Sequence, residues 1–266
     1  MSGEIVCRQE DGSGDPDGSI VTVTLHNPDK RNAIDSAMWR QLTAVFERLT
    51  DSEEPRCIII RGAGEQAFAA GGDIEEFVHC RDTLEKAMAY HAQAGAAMQA
   101  IADCRHPTIA LIHGACIGGG LEVATQCDLR ICGQSARFGA PINRLGFSMY
   151  PVELAGLLRL AGRSTVLEML LEGRILSAAE AYAKGLVTRV VADDQVTDEA
   201  YASARRVAAG APLVARWHKQ WLRRLQDERA LTEQELRESF AFLDSADYRE
   251  GLAAFIEKRP PRFTGR

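Results

Sequence analysis

No CxxC pair occurs among the seven cysteines of this chain, and their number is odd. That pattern speaks against a disulfide framework or a zinc site. Cys7, Cys57, Cys80, Cys104, Cys116, Cys127 and Cys132 read instead as reduced thiols, several within apolar runs. Histidine is scarce at six residues, and no paired ligand spacing accompanies any of them. His91 and His113 therefore read as structural and no metal site is expected. The G-x-S-x-G elbow of serine hydrolases is missing. No stretch approaches the ~20 apolar residues of a membrane span. The opening MSGEIVCRQEDGSGD has neither a basic nor an apolar signal region, so a cytoplasmic protein without a membrane partner is expected. Positive charge is in deficit: the formal net charge is -6, which excludes a nucleic-acid groove built on general basicity. A few local cations still suffice for a polyanionic ligand. Tandem repeats and low-complexity tracts are absent.

What is present suits a globular protein with a substantial core: 46% hydrophobic and 26% charged residues over 266 positions. Residues 8–18 are polar and turn-rich, as in an exposed hairpin loop or frayed segment. Ile20–Leu25 is β-branched and predicts a strand. Asp35 or Ser36 predicts a helix start, with Met38, Leu42, Val45, Phe46 and Leu49 as its apolar stripe. Strands are predicted at Cys57–Ile60 and Thr108–Ile112, with a weaker one at Leu129–Cys132. A long helix is predicted from about Leu84 to Cys104. Strand, glycine-rich turn and helix recur in that order, so the fold class is α/β. After Val152 the pattern turns helical, with a capping box at Ser177–Glu180 and helical spacing over 198–209, 212–226, 231–243 and 246–257. The expected division is a core over 1–195 and a helical region over 196–266.

Three glycine-rich segments could carry chemistry. Gly62-Ala-Gly64-Glu-Gln-Ala67 mimics a dinucleotide fingerprint. That fingerprint needs a helix to start at the glycines, and the continuation Phe68-Ala-Ala-Gly-Gly72 is poor helix sequence. A turn at the sheet explains it better. In Ala67–Ile74 the small residues at 69–72 let a ligand approach the backbone, although a tight turn under a helix would use the same residues. In Ile112–Glu122 a buried strand runs into Gly118-Gly119-Gly120 and then a helix with an early carboxylate. A helix N-terminus offers unsatisfied N–H groups to developing negative charge; close helix–strand packing is the alternative.

Together these segments resemble the crotonase family of enoyl-CoA hydratases and isomerases. The resemblance is carried by Asn27–Ile34, Ala67–Phe77, His113–Asp128, Phe138–Pro141, Leu176–Val191 and Gly251–Arg259, in colinear order over nearly the whole chain. It implies a spiral of repeated ββα units followed by C-terminal oligomerisation helices, in a homotrimer or a hexameric dimer of trimers. It implies an acyl-CoA substrate, with coenzyme A as part of the thioester and no permanently bound cofactor. The backbone N–H groups of Gly72 and Gly119 would form an oxyanion hole for a thioester enolate, with residue 72 free to be Gly or Ala. Lys30, Arg31 and Ala33 would meet the CoA, as would Ala70 and the neighbouring Asp73 and Ile74. Phe255 and Lys258 would reach the nucleotide of a neighbouring subunit. For Lys30, Lys258 and their neighbours an ordinary solvated face is the alternative.

Glu122 matches one of two catalytic glutamates, although an acid in a first helical turn also serves the dipole. The second glutamate is missing. The family's F-G-x-P-E reads Phe138-Gly-Ala-Pro-Ile142, and Ile142 transfers no proton. Glu153 and Tyr150 in the altered loop that follows are the candidates to replace it. Hydration with Glu122 as acid/base group is the leading expectation. Isomerisation, thioester hydrolysis or C–C cleavage with one carboxylate is the first rival, and a non-catalytic acyl-CoA-binding protein is the second.

Overall fold

The computed structural model describes residues 2–10 and 19–266. Most of the predicted polar segment 8–18 lies outside the described residues. Its first two residues correct the expectation, because Arg8 and Gln9 end an edge strand, β1 (Glu4–Gln9). That strand pairs antiparallel with β2 (Ile20–His26). From β2 the main sheet continues in parallel through β3 (Cys57–Gly62), β5 (Thr108–Ile112), β7 (Leu129–Gly133) and β10 (Arg189–Val191). Inner strands β3 and β5 are short, almost wholly apolar runs, as expected for a parallel sheet covered on both faces.

A second, smaller sheet is built from three-residue strands: β4 (Ala67–Ala69), β6 (Ala115–Ile117), β8 (Arg137–Gly139) and β9 (Ile175–Ser177). The chain visits the sheets alternately, β3 then β4, β5 then β6, β7 then β8, with a helical segment after each pair. That alternation is the expected ββα spiral. The segment after β3 turns directly into β4, so Gly62 and Gly64 open no helix.

Side-chain alternation along the strands sorts the core into two layers. Val23, Ile58, Ile60, Ala110 and Ile112 face α1 (Ser36–Asp51) and α3 (Leu84–Asp103). Ile20, Cys57, Ile59, Ile109 and Leu111 face α7 (Val196–Ala208). Helix α7 presents Val196, Ala200, Ala204 and Ala208 at four-residue spacing, a stripe of mostly small residues that lets it lie close on the sheet. Asp35 caps α1 by accepting from the Met38 N–H at 2.8 Å. Beyond α7, α8 (Pro212–Arg224), α9 (Glu233–Glu238) and α10 (Ala246–Glu257) follow, and Leu222 of α8, Phe240 just after α9, and Leu252, Phe255 and Ile256 of α10 are exposed. Among the described residues no helix is long and apolar enough to cross a membrane.

Candidate active site

The two glycine-rich turns meet at one cleft, which encloses about 210 Å³. Gly71 and Gly72 leave β4 and form a single parallel bridge to Ile34, which donates to the Gly71 carbonyl at 2.8 Å and accepts from the Asp73 N–H at 2.9 Å. Both bonds bypass Gly72, whose own N–H stays outside the bridge. Opposite it, Gly118 turns β6 into α4 (Gly119–Gln126) with φ 49° and ψ -121°, a conformation that glycine adopts readily and residues with a Cβ do not. Gly119 is the first helical residue, and its N–H is one of the unpaired donors of a helix start. A Cβ built on Gly119 would lie 3.3 Å from the Gly72 nitrogen. The predicted pair is therefore brought together, backbone against backbone.

Alanine at position 72, which the resemblance allows, would be tightly placed here. A Cβ on Gly72 would meet the Tyr90 hydroxyl at 2.8 Å and the Phe77 ring at 3.1 Å. Tyr90 is buried and accepts from the Trp39 indole N–H at 3.1 Å, so it has little room to yield. Gly72→Ala is accordingly expected to destabilise the protein by about 1–3 kcal/mol, the usual cost of overpacking. A urea titration checks this, and an unchanged midpoint would mean that Tyr90 moves freely.

Glu122 lies on the first turn of α4, buried at 7% exposure, and its carboxyl faces the cleft. Burial pushes its pKa well above the ordinary carboxylate range, and the nearby Glu153 adds to the shift; Arg81 opposes both. A second carboxyl, that of Glu153, also reaches this cleft. It sits in the first turn of α5 (Pro151–Leu171), buried, and lines the same cleft as Glu122 and Ile142. Glu153 Oε1 accepts from His91 Nδ1 at 2.6 Å, and Oε2 accepts from the Tyr150 N–H at 3.3 Å. Tyr150 itself lies outside the cleft lining, its ring stacked on His91 at 4.9 Å.

Arg81 and His91 are among the cleft residues that were not foreseen. His91, expected to be structural, lies in the cleft wall on α3, and Arg81 ends α2 (Ile74–Cys80). His113 is buried and lies outside the cleft, its Nε2 3.2 Å from the Thr197 hydroxyl.

The predicted CoA residues divide into two groups. Ala70 and Ile74 line the cleft mouth. Lys30 pairs with Asp73 and Glu75, each at 2.7 Å, and these carboxylates hold its ammonium above its usual range. Asp73 also caps α2, so its first task is structural. Arg31 has φ 50° and its carbonyl accepts from the Ala70 N–H at 3.0 Å, while Ala33 is buried beside that turn. Phe255 and Lys258, at the end of α10, do not line this chain's cleft, and Phe255 is 85% exposed.

Comparison with known proteins agrees with this geometry. The family model described as enoyl-CoA hydratase/isomerase matches residues 15–266. A probable enoyl-CoA hydratase of Mycobacterium tuberculosis is 37% identical, over 94% of this chain and 96% of its own length. The 2,3-dehydroadipyl-CoA hydratase of Escherichia coli is 34% identical with both chains fully covered. A crystal structure of an enoyl-CoA hydratase/carnithine racemase from Magnetospirillum magneticum superposes with a TM-score of 0.92 at 49% identity, covering 93% of each chain. A spiral of ββα units, two facing glycine backbones and a match over nearly the full length together make this chain a member of the enoyl-CoA hydratase/isomerase family, within the crotonase superfamily.

Proposed function

We propose that the protein adds water across the double bond of a 2-enoyl-CoA thioester, using Glu122 and Glu153 as its carboxylate pair. The observation that carries this is the presence of two buried carboxyls in one cleft beside the Gly72 and Gly119 N–H groups. Glu153, accepting on both oxygens, takes the proton of a water whose oxygen bonds to the β-carbon. The π electrons move onto the thioester oxygen, where the Gly72 and Gly119 N–H groups hold the enolate. Glu122, kept protonated by burial and by its neighbour's charge, delivers its proton to the α-carbon. The proton on Glu153 then returns to Glu122 through solvent, and the product is the 3-hydroxyacyl thioester.

A cleft of about 210 Å³ suits the reacting end of such a ligand and not a whole CoA. The CoA would run out past Ala70 and Ile74 towards Lys30, Arg31 and Ala33, beside Asp73, entering as substrate with no permanent cofactor. Exposed Phe255 and Lys258 would meet the nucleotide bound to a neighbouring copy, which requires a homotrimer or a hexamer. The core would comprise 1–195, and within 196–266 the exposed apolar residues of α8–α10 would form the subunit contacts. No nucleic acid or membrane enters this scheme, and a cytoplasmic location suits it.

Incubating straight-chain 2-enoyl-CoA esters in ¹⁸O-labelled water tests the assignment. The expected product is a 3-hydroxyacyl-CoA with one heavy oxygen at the β-carbon, read by mass spectrometry. A double-bond shift without oxygen uptake would replace hydration by isomerisation.

A further inference from the structure

We propose that Arg81 and His91 are positioning residues, linked to Glu153 in a hydrogen-bonded chain that holds its carboxylate oriented towards Glu122; this role rests on the Glu122–Glu153 pair proposed above. The chain crosses three elements: Arg81 closes α2, His91 lies on α3 and Glu153 lies on α5. Arg81 Nη2 lies 2.6 Å from His91 Nε2, and His91 Nδ1 lies 2.6 Å from Glu153 Oε1. A guanidinium has donors only, so His91 Nε2 must accept. The ring proton is then on Nδ1, where it is donated to Glu153. One arginine thus sets the tautomer that a carboxylate across the cleft requires.

The surroundings fix each member. The Arg81 guanidinium is 4.3 Å from the centre of the Phe77 ring and 4.6 Å from that of Phe147. Such contacts orient a planar cation without neutralising it. Among the described residues no carboxylate forms an ion pair with Arg81, and its connection to Glu153 is the pair of hydrogen bonds through the imidazole. His91 is held between the edge of Tyr90 and the stacked Tyr150 ring. The titratable or charged groups on the cleft wall are Arg81, Tyr90, His91, Glu122 and Glu153. One fixed cation therefore shares the wall with two carboxyls, and of the two Glu153 is hydrogen-bonded to it through the imidazole. That asymmetry assigns unlike tasks to two like groups.

The test combines turnover with a reading that needs no substrate. With the 2-enoyl-CoA ester turned over fastest, His91→Phe is expected to lower kcat by about 10- to 100-fold, the usual range for a partner behind a reacting group. KM should stay within about twofold, and the pH profile of kcat should shift. His91→Asn, which offers an amide donor near the Nδ1 position, should recover much of the loss. The double variant H91F/E153Q should be no slower than E153Q alone, because the chain acts only through Glu153. A wild-type kcat in H91F, or losses that multiply in the double variant, would overturn the proposal. In ¹⁵N-histidine spectra of the free protein, His91 should be the Nδ1–H tautomer and should change in Arg81→Met; an Nε2–H tautomer would overturn it without reference to any substrate. If E153Q keeps full turnover while that tautomer stands, the second-carboxylate assignment fails and the chain itself does not.

Discussion

Glu122→Gln is expected to lower kcat for hydration by about 10²- to 10⁴-fold, the range contributed by a positioned acid or base, while making the folded protein more stable at neutral pH. Both effects come from one cause. The Glu122 carboxyl is buried close to Glu153. Its folded pKa is therefore raised far above 4.5, the ordinary value it regains on unfolding. Between those two values the unfolded chain has released the proton and the folded chain has kept it. The folded state then binds more protons, so stability falls as pH rises through that window. Below about pH 4.5 both states hold the proton and the cost vanishes. Glutamine never ionises, so the variant escapes the penalty. Urea midpoints of E122Q and wild type should diverge as pH rises from 4.5 and converge below it. Midpoints that differ equally at every pH would show that Glu122 is not held protonated by the fold. Unchanged turnover with acyl-CoA binding intact would instead mean that Glu122 delivers no proton in the reaction.

Local chemistry made much of this molecule legible in its sequence. The apolar runs of β3 and β5, the Asp35 cap and the Ser177 capping box are contiguous signals, and each marks its element to within a residue or two. The Gly118–Gly120 triplet is equally local, because a strand that turns into a helix through a positive φ needs glycine there. The second sheet was illegible, since three-residue strands such as β4 and β9 are too short to show alternation. β1 was missed for a different reason: EIVCRQ is half exposed at a sheet edge and mixes polar and apolar residues without a clear run.

The site divides along the same line. Its backbone half lies in two short motifs. Its side-chain half is assembled across the fold: His91 and Glu153 are 62 positions apart, and Arg81 approaches them from a third helix. No spacing rule connects such residues. The one available hint was the departure at Ile142, with Glu153 eleven positions further on, just past the altered loop. Replacing a carboxylate at one end of a cleft creates a demand for another. Geometry separates the two candidates in place: Glu153 lines the cleft and Tyr150 stacks outside it.

Gly119→Pro should reduce kcat by a further 10²- to 10³-fold, roughly, relative to Gly119→Ala, because only proline removes the N–H donor. The two substitutions share a steric cost. Either brings a Cβ to within 3.2 Å of the Trp39 ring and 3.3 Å of the Gly72 nitrogen, crowding the place of the thioester oxygen. Alanine therefore measures the crowding by Cβ, while proline puts its Cδ where the amide hydrogen was. Proline is compatible with the first position of a helix, where the lost N–H has no intrahelical partner. The preceding residue also allows it: Gly118 is in an extended mirror-image conformation and has no Cβ to meet the ring. Circular dichroism of the two variants should match, and the difference between them should fall on kcat. Equal rates for proline and alanine would mean that the Gly119 N–H does not hold the developing oxyanion. In that case Gly72 would be left as the sole backbone donor, and enolate stabilisation would need a second source in the cleft, for which Arg81 is the available cation.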